Sequence, residues 1–181
     1  MIIRAATPDD AGALAAIYGH HVRHGLGTFE EEPPPPAEMA RRLADIAGLG
    51  LPYLVAEDDG VVLGYAYAGP FRQRPAYRYT LEDSVYIAPD AIGKGVGRAV
   101  LGAVIEACEG LGVRQLVAVI GDSGNAASIG LHAALGFTHQ GVGRAFGFKH
   151  GRWVDIVWMQ KALGGGDLTS PAGPGVRLSG R

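Results

Sequence analysis

The stretch APDAIGKGVGRAV, residues 88–100, constrains this chain more than any other. Gly93, Gly95 and Gly97 alternate with Lys94 and Val96, and an apolar helical pattern begins where they end. Glycine reaches backbone conformations closed to other residues and lets the main chain approach a ligand with no Cβ in the way. Upstream, YTLEDSVYIAP (79–89) reads as a strand closed by Pro89. Downstream, Val96, Val100, Leu101, Val104, Ile105, Cys108 and Leu111 share one face of a helix over 96–111. A helix start after a glycine loop offers unpaired N–H groups and a partial positive charge. Lys94 and Arg98 add cations, so a pyrophosphate would be well held there.

Two familiar phosphate loops do not match. A P-loop needs Gly-Lys followed by Ser or Thr, but Gly95 follows Lys94. A dinucleotide fingerprint needs G-x-G-x-x-G on a first strand, whereas the spacing here is G-x-G-x-G after residue 90. On spacing alone, a plain glycine-rich turn is an equally good reading.

The flanking sequence supplies the rest of an α/β domain. MIIRAA reads as a first strand, and Thr7, Pro8 and Asp10 as a helix start. Leu14, Ile17, Tyr18 and Val22 keep helical spacing up to Gly25. EEEPPPP (30–36) is a stiff extended linker, followed by a helix over 37–48 with Met39, Leu43 and Ile46 on one face. Residues 53–68 form a hairpin pattern around Asp58-Asp59-Gly60. QLVAVI (115–120) reads as a buried strand, and residues 125–137 as a helix that Asn125 could cap and Gly136 stop. Strands follow over 138–148 and 152–160, turned at His150-Gly151. Hairpins on both sides of the glycine unit call for a mixed sheet. The Gly/Pro/Ser-rich segment 164–181 has the composition of a disordered tail.

Composition narrows the function classes. The chain has 181 residues, enough for one domain with its own core. Its formal net charge of -2 provides no global basic field for nucleic acid. No apolar run is long enough to span a membrane, and the start carries no signal-peptide pattern. Cys108 is the single cysteine, so no internal disulfide forms. These features favour a cytoplasmic protein.

His20 and His24 lie one helical turn apart without an H-E-x-x-H motif or a third ligand, so a solvated helix face is the better reading and no metal is expected. Cys108 falls on an apolar helix face and reads as a small core residue. FRQRPAYRYT (71–80) interleaves Arg72, Arg74 and Arg78 with Tyr77 and Tyr79. It is either an exposed loop or an anion site; as a strand, it would put the three arginines on one face. Glu82 and Asp83 read, without other information, as strand-end acids in water. His132, amid Leu131, Ala133 and Leu135, reads as a packed core residue.

Three blocks change that balance. YTLEDSVYIAPDAIGKGVGRAVL, LVAVIGDSGNAASIGLHAALGF and GFKHGRWVDIVWMQ occur in this order. The chain resembles, over roughly residues 2–162, the GCN5-related N-acetyltransferases, in their phosphinothricin and methionine sulfone/sulfoximine acetyltransferase branch. The family loop is Gln/Arg-x-x-Gly-x-Gly/Ala; Gly95 and Gly97 fit its glycines, and Ile92 departs from its first position. The resemblance implies a mixed, mostly antiparallel sheet flanked by helices, split at the acetyl-coenzyme A site, in a domain spanning 1–163. It implies coenzyme contacts from Val85, Tyr86, Ile87, Ile92, Gly93, Lys94, Gly95, Val96, Gly97, Arg98, Asn125 and Ser128. Glu82 becomes the general base, and His132 the proton source for the departing thiolate. The amides of Tyr86 and Ile87 would stabilise the oxyanion. Thr28, Phe29, Arg72, Arg74 and Tyr77 would line the acceptor site, an arginine gripping a carboxylate or phosphinate.

The expectation is therefore an acetyl-coenzyme A-dependent N-acetyltransferase for a small amino-acid-like amine, needing no metal and forming a homodimer. Two alternatives stand beside it. Ile92 suits a non-catalytic acyl-coenzyme A sensor, and a protein or aminoglycoside amine is another acceptor the pattern allows.

Overall fold

The structure, a computed structural model, describes residues 1–179. Eleven main elements follow one another: β1 (Ile2–Ala5), α1 (Ala11–His24), α2 (Pro36–Gly48), β2 (Tyr53–Asp58), β3 (Val61–Pro70), β4 (Thr80–Ile87), α3 (Val96–Gly110), β5 (Gln115–Gly121), α4 (Ala126–Ala134), β6 (Thr138–Lys149) and β7 (Arg152–Ala162). The strands form one seven-stranded sheet in the order β1-β2-β3-β4-β5-β7-β6. Every neighbouring pair is antiparallel except β4 and β5, which α3 joins as a parallel crossover.

The apolar spacing read from the sequence becomes two cores, one on each sheet face. Val96, Val100, Leu101, Val104, Ile105 and Cys108 of α3 pack with Ala66, Ala68, Leu81, Leu116 and Ala118 of the sheet. On the other face, Leu14, Ile17, Tyr18 and Val22 of α1 and Met39 and Leu43 of α2 cover Tyr53, Val55 and Tyr65. The start of the first helix is built as its residues suggest: Pro8–Asp10 makes a 3₁₀ turn and the Thr7 amide donates to Asp10 at 2.7 Å. Asp10 in turn receives both guanidinium arms of Arg4, at 2.8 Å each, which ties β1 to the root of α1.

Residues 71–79 are irregular around a 3₁₀ turn at Pro75–Tyr77, so the strand that would have aligned Arg72, Arg74 and Arg78 does not form. Pro75 sets the turn in place of extended backbone. Arg78 donates to the Pro75 carbonyl and lies over the Tyr79 ring.

The segment whose composition reads as disordered has little regular structure, and it returns to the body of the domain. Arg114 donates to the carbonyls of Gly166 and Thr169, Tyr79 donates to Gly173, and the Val176 amide donates to Arg78. Its last two residues, 180 and 181, lie outside the described part.

Candidate active site

Strands β4 and β5 pair only from Thr80↔Gln115 to Asp83↔Ala118. Beyond that point, residues 84–87 and 119–121 diverge, and a cleft of about 740 Å³ opens through the sheet, a size typical of small-molecule sites. One wall comes from α4, with Ser128, Leu131 and His132; the other comes from the α1–α2 loop, with Gly25, Leu26 and Gly27. The glycine loop and the N-terminus of α3 close the end.

Backbone polarity follows from one bond. The Ala88 amide donates to Leu63 of β3 at 2.9 Å, so strand alternation turns the Tyr86 backbone toward β3 and those of Val85 and Ile87 toward the opening. The expectation that Tyr86 offers its amide to the cleft is thus corrected; its neighbours on either side do so. The Ile87 carbonyl is already taken by His21, whose Nε2 donates at 2.8 Å and ties α1 to the end of β4.

The loop itself fits an anion. Gly93 and Gly95 hold φ of +78° and +81°, the left-handed region that favours glycine, and a Cβ at either would meet open space. That leaves a surface of backbone with no side chain over it, at the start of a fifteen-residue helix whose first amides lack partners. Gly97 serves packing instead. A Cβ there would come within 3.2 Å of Leu131, so its absence lets α3 sit close to α4 beneath the cleft. Of the residues expected to hold the coenzyme, all but Lys94 line this cleft; Ile92 is exposed and brings no cation, leaving Arg98 as the charged lining residue from α3. Asn125 caps α4, accepting from the Ser128 amide at 3.1 Å.

Glu82 and His132 are not brought together. Side chains alternate along β4, so Leu81, Asp83, Val85 and Ile87 face α3 and α4 while Glu82, Ser84 and Tyr86 face α1 and α2. Burial pushes the Glu82 carboxyl above the usual carboxylate range, the Asp83 charge adds to this, and Arg72 opposes it. Arg72 is therefore the member of the arginine run whose charge reaches Glu82; Arg74 precedes the 3₁₀ turn and Tyr77 ends it. Thr28 is buried, its hydroxyl 2.7 Å from that of Tyr18 and its carbonyl accepting from Lys149 at 2.7 Å. Phe29 is partly exposed and lies against Gly147 of β6, where any Cβ would strike its ring.

Asp83, which reads from the sequence as a solvated acid, is buried, and its Oδ2 lies 3.0 Å from Nε2 of equally buried His132. The other ring nitrogen, Nδ1, donates to the Ser128 carbonyl at 2.7 Å. Both imidazole nitrogens are thus engaged. The two residues are 49 positions apart, and only the crossover through α3 and β5 joins them, so no local signal could have paired them. Gly121 is a second residue that sequence reasoning misses: a Cβ there would run into the Leu26 carbonyl, so only glycine lets the α1–α2 loop cross the end of β5.

Residues 3–158 match the family model described as an acetyltransferase (GNAT) domain. The chain belongs to the GNAT acetyltransferase family. This GNAT domain is 59% identical over 169 residues to a phosphinothricin N-acetyltransferase of Alcaligenes faecalis, covering 93% of this chain and 86% of that one. It is 41% identical to an L-methionine sulfoximine/L-methionine sulfone acetyltransferase of Salmonella typhimurium, covering 90% of this chain and 95% of the relative. Among solved structures, a GNAT superfamily phosphinothricin acetyltransferase from Sinorhizobium meliloti, in complex with AcCoA, superposes with a TM-score of 0.91 at 49% identity, over 94% of this chain and 92% of that one.

The GNAT fold matches the expected mixed sheet with its split strand pair. Among the described residues no group of three or more His, Cys, Asp or Glu side chains is placed to hold a metal ion, and no helix is long and apolar enough to cross a membrane.

Proposed function

We propose that this GNAT enzyme transfers the acetyl group of acetyl-coenzyme A to the α-amine of a small amino-acid-like acceptor, with phosphinothricin and methionine sulfoximine or sulfone as first candidates. The observation that carries this reading is the opening of the sheet after Asp83, lined by the glycine loop, the start of α3 and the Asp83–His132 pair, with Glu82 one residue earlier on the opposite face of β4. The relatives named above supply the substrate class.

Acetyl-coenzyme A supplies an activated acyl group; the chain supplies placement and proton handling. Gly93, Gly95 and the first amides of α3 hold the pyrophosphate, with Arg98 beside them. The amides of Val85 and Ile87 face the acyl carbonyl across the split. Glu82, on the opposite face, takes the proton of the acceptor ammonium directly or through one water. Its raised pKa keeps it an effective base nearer neutral pH. Arg72 and Arg74 approach the acceptor's anionic end, while Thr28, Phe29 and Tyr77 shape the pocket. His132 belongs to the proton source on the thiol side.

The same reading keeps two further expectations. A homodimer is supported by an exposed aromatic patch on β6 and β7: Phe146, Phe148 and Trp153, the last 66% exposed. A cytoplasmic location is supported by the lone, buried, unpaired Cys108.

The test is coenzyme A thiol release measured against a panel of amino acids, their sulfone, sulfoximine and phosphinate analogues, simple uncharged amines, an aminoglycoside and a peptide N-terminus. The reading expects the anionic amino-acid analogues to react fastest. Preference for the peptide, the aminoglycoside or uncharged amines would overturn the acceptor class, and binding without turnover on the whole panel would favour a sensor.

A further inference from the structure

His132 cannot reach a ligand with a free ring nitrogen. Nδ1–H is fixed on the Ser128 carbonyl, so the Nε2···Oδ2 contact with Asp83 holds a single shared proton. That proton sits either on the imidazole, facing a carboxylate, or on the carboxyl, facing a neutral imidazole. The other carboxyl oxygen, Asp83 Oδ1, is buried without a hydrogen-bond partner. A buried polar atom left unsatisfied is costly and marks a place where a partner belongs. Asp83 is also the last β4 residue paired with β5 before the strands part, and both Asp83 and His132 line the cleft.

We propose that Asp83 and His132 act as one proton-holding pair and that Asp83, through Oδ1, is the catalytic acid that protonates the departing coenzyme thiolate, with His132 as its positioning and proton-storing partner. This rests on the acetyltransferase reading of the cleft. As the acyl carbon bonds to the amine nitrogen, the carbon–sulfur bond breaks and its electron pair goes to sulfur. The shared proton settles on the Asp83 carboxyl, which turns about its Cβ–Cγ bond to present that O–H where Oδ1 lies. Sulfur takes the proton and leaves as a thiol, and His132 stays neutral with Nδ1–H on Ser128. The amine's proton goes to Glu82 on the other face. The pair is left with one negative charge, which a proton from solvent neutralises before the next turnover. Proton uptake and proton delivery are thus separated by the sheet.

The surroundings favour a neutral pair over a charged group. Burial raises the Asp83 carboxyl, and the His132 hydrogen bond only partly opposes this. Burial works against the imidazolium, but the hydrogen bond and charge of Asp83 outweigh it and raise His132. The other titratable groups that feel the Asp83 charge are Glu82 on its own strand and Cys108 of α3, whose thiol burial pushes up to about 12, so it stays protonated.

The experiment compares wild type, Asp83→Asn and His132→Gln as full chains. Nitrogen-15 NMR of the His132 ring, without coenzyme, reads the pair directly: in Asp83→Asn the His132 titration should move to lower pH while the Nδ1–H signal persists. Calorimetry should give acetyl-coenzyme A affinities within about threefold of wild type. Turnover with acetyl-coenzyme A should fall ~10²–10⁴-fold in Asp83→Asn. A thioacetate whose thiol leaves without protonation, such as the p-nitrothiophenyl ester, should react at a rate close to wild type. Asp83→Glu should recover part of the loss if it folds, and if Asp83→Asn does not fold, Asp83→Ser takes its place. Turnover of Asp83→Asn within threefold of wild type, an unmoved His132 titration, or equal losses with both thioesters would overturn the proposal. Lost coenzyme binding in wild type itself would instead overturn the reading of the cleft.

Discussion

Glu82 and Asp83 are adjacent in the chain and face opposite sides of the sheet: Glu82 lies on the α1–α2 side, and Asp83 bonds His132 beneath α3 and α4. β4 parts from β5 immediately after them; Asp83 lines the opening, and Glu82 lies on the other face of the sheet beside it. An acyl donor entering from one side and an amine from the other would each meet one acid.

The first prediction concerns Glu82. With Glu82 as the proposed base, its raised pKa means that the base form is lost as the pH falls through that value, so wild-type kcat/KM should decline on the acid side at a pH above the ordinary carboxylate range. Glu82→Gln should lower turnover ~10²–10⁴-fold and remove this limb, leaving acetyl-coenzyme A affinity unchanged. A persisting acid limb in the variant would assign it to another group.

Arg72 and Arg74 divide two effects. Arg72 opposes the rise in the Glu82 pKa, so Arg72→Ala should shift the acid limb to higher pH and raise KM for an anionic acceptor. Arg74→Ala should raise that KM with no shift in the limb. A charge-assisted contact of ~1.5–3 kcal/mol corresponds to a KM rise of roughly ten- to a hundredfold. Steady-state kinetics over a pH series decides; a limb that stays in place in Arg72→Ala would separate Arg72 from Glu82.

At the glycine cradle, Gly95 caps α3 at φ +81° with open space around its missing Cβ. Gly95→Ala meets no clash, so its cost is backbone strain of about 1–2 kcal/mol. The strain either lowers Tm or moves the loop and weakens acetyl-coenzyme A binding by roughly tenfold. Calorimetric Tm and Kd that both match wild type would take Gly95 out of the cradle.

Stability at low pH should depend on Asp10. The Arg4 hydrogen bonds hold its carboxyl below the usual range despite burial, with the Thr7 amide adding to the effect. A depressed folded pKa gives stability that is fully present above the unfolded value of about 3.9 and is lost as the pH falls through the folded value. Asp10→Asn should cost about 1.5–3 kcal/mol at pH 7. Urea titrations at pH 7 and near pH 2 should show the gap between variant and wild type closing in acid; a constant gap would mean the loss is one of shape and not of charge.

The aromatic patch on β6 and β7 makes a prediction about assembly. Phe148 and Trp153 are cross-strand partners with ring centroids 5.4 Å apart, both exposed. If a second copy covers them, Phe148→Asp with Trp153→Ser should turn a dimer into a monomer by sedimentation velocity. A wild-type monomer at micromolar concentration would leave the patch to another partner.

Local pattern was enough to read most of the fold. The helix over 96–111, the hairpin at Asp58-Asp59-Gly60 and the cap at Asn125 are set by residues close in sequence, and each formed where spacing and turn chemistry placed it. The glycine cradle was legible for the same reason, because left-handed backbone at Gly93 and Gly95 is a property of those residues themselves. Long-range facts were not. Glu82 and Asp83 look alike in the chain, and only the alternation of a strand buried on both faces gives them different partners. The fixing of both His132 nitrogens depends on a crossover that brings residues 83 and 132 together. Whether residues 71–79 run as a loop or as a strand aligning the three arginines was open in the sequence, and Pro75 decides for an irregular segment around a 3₁₀ turn. The sequence determined which elements form, since those choices are local in energy; the tertiary structure decided which acid meets which proton, since that is settled only when distant segments share a buried space.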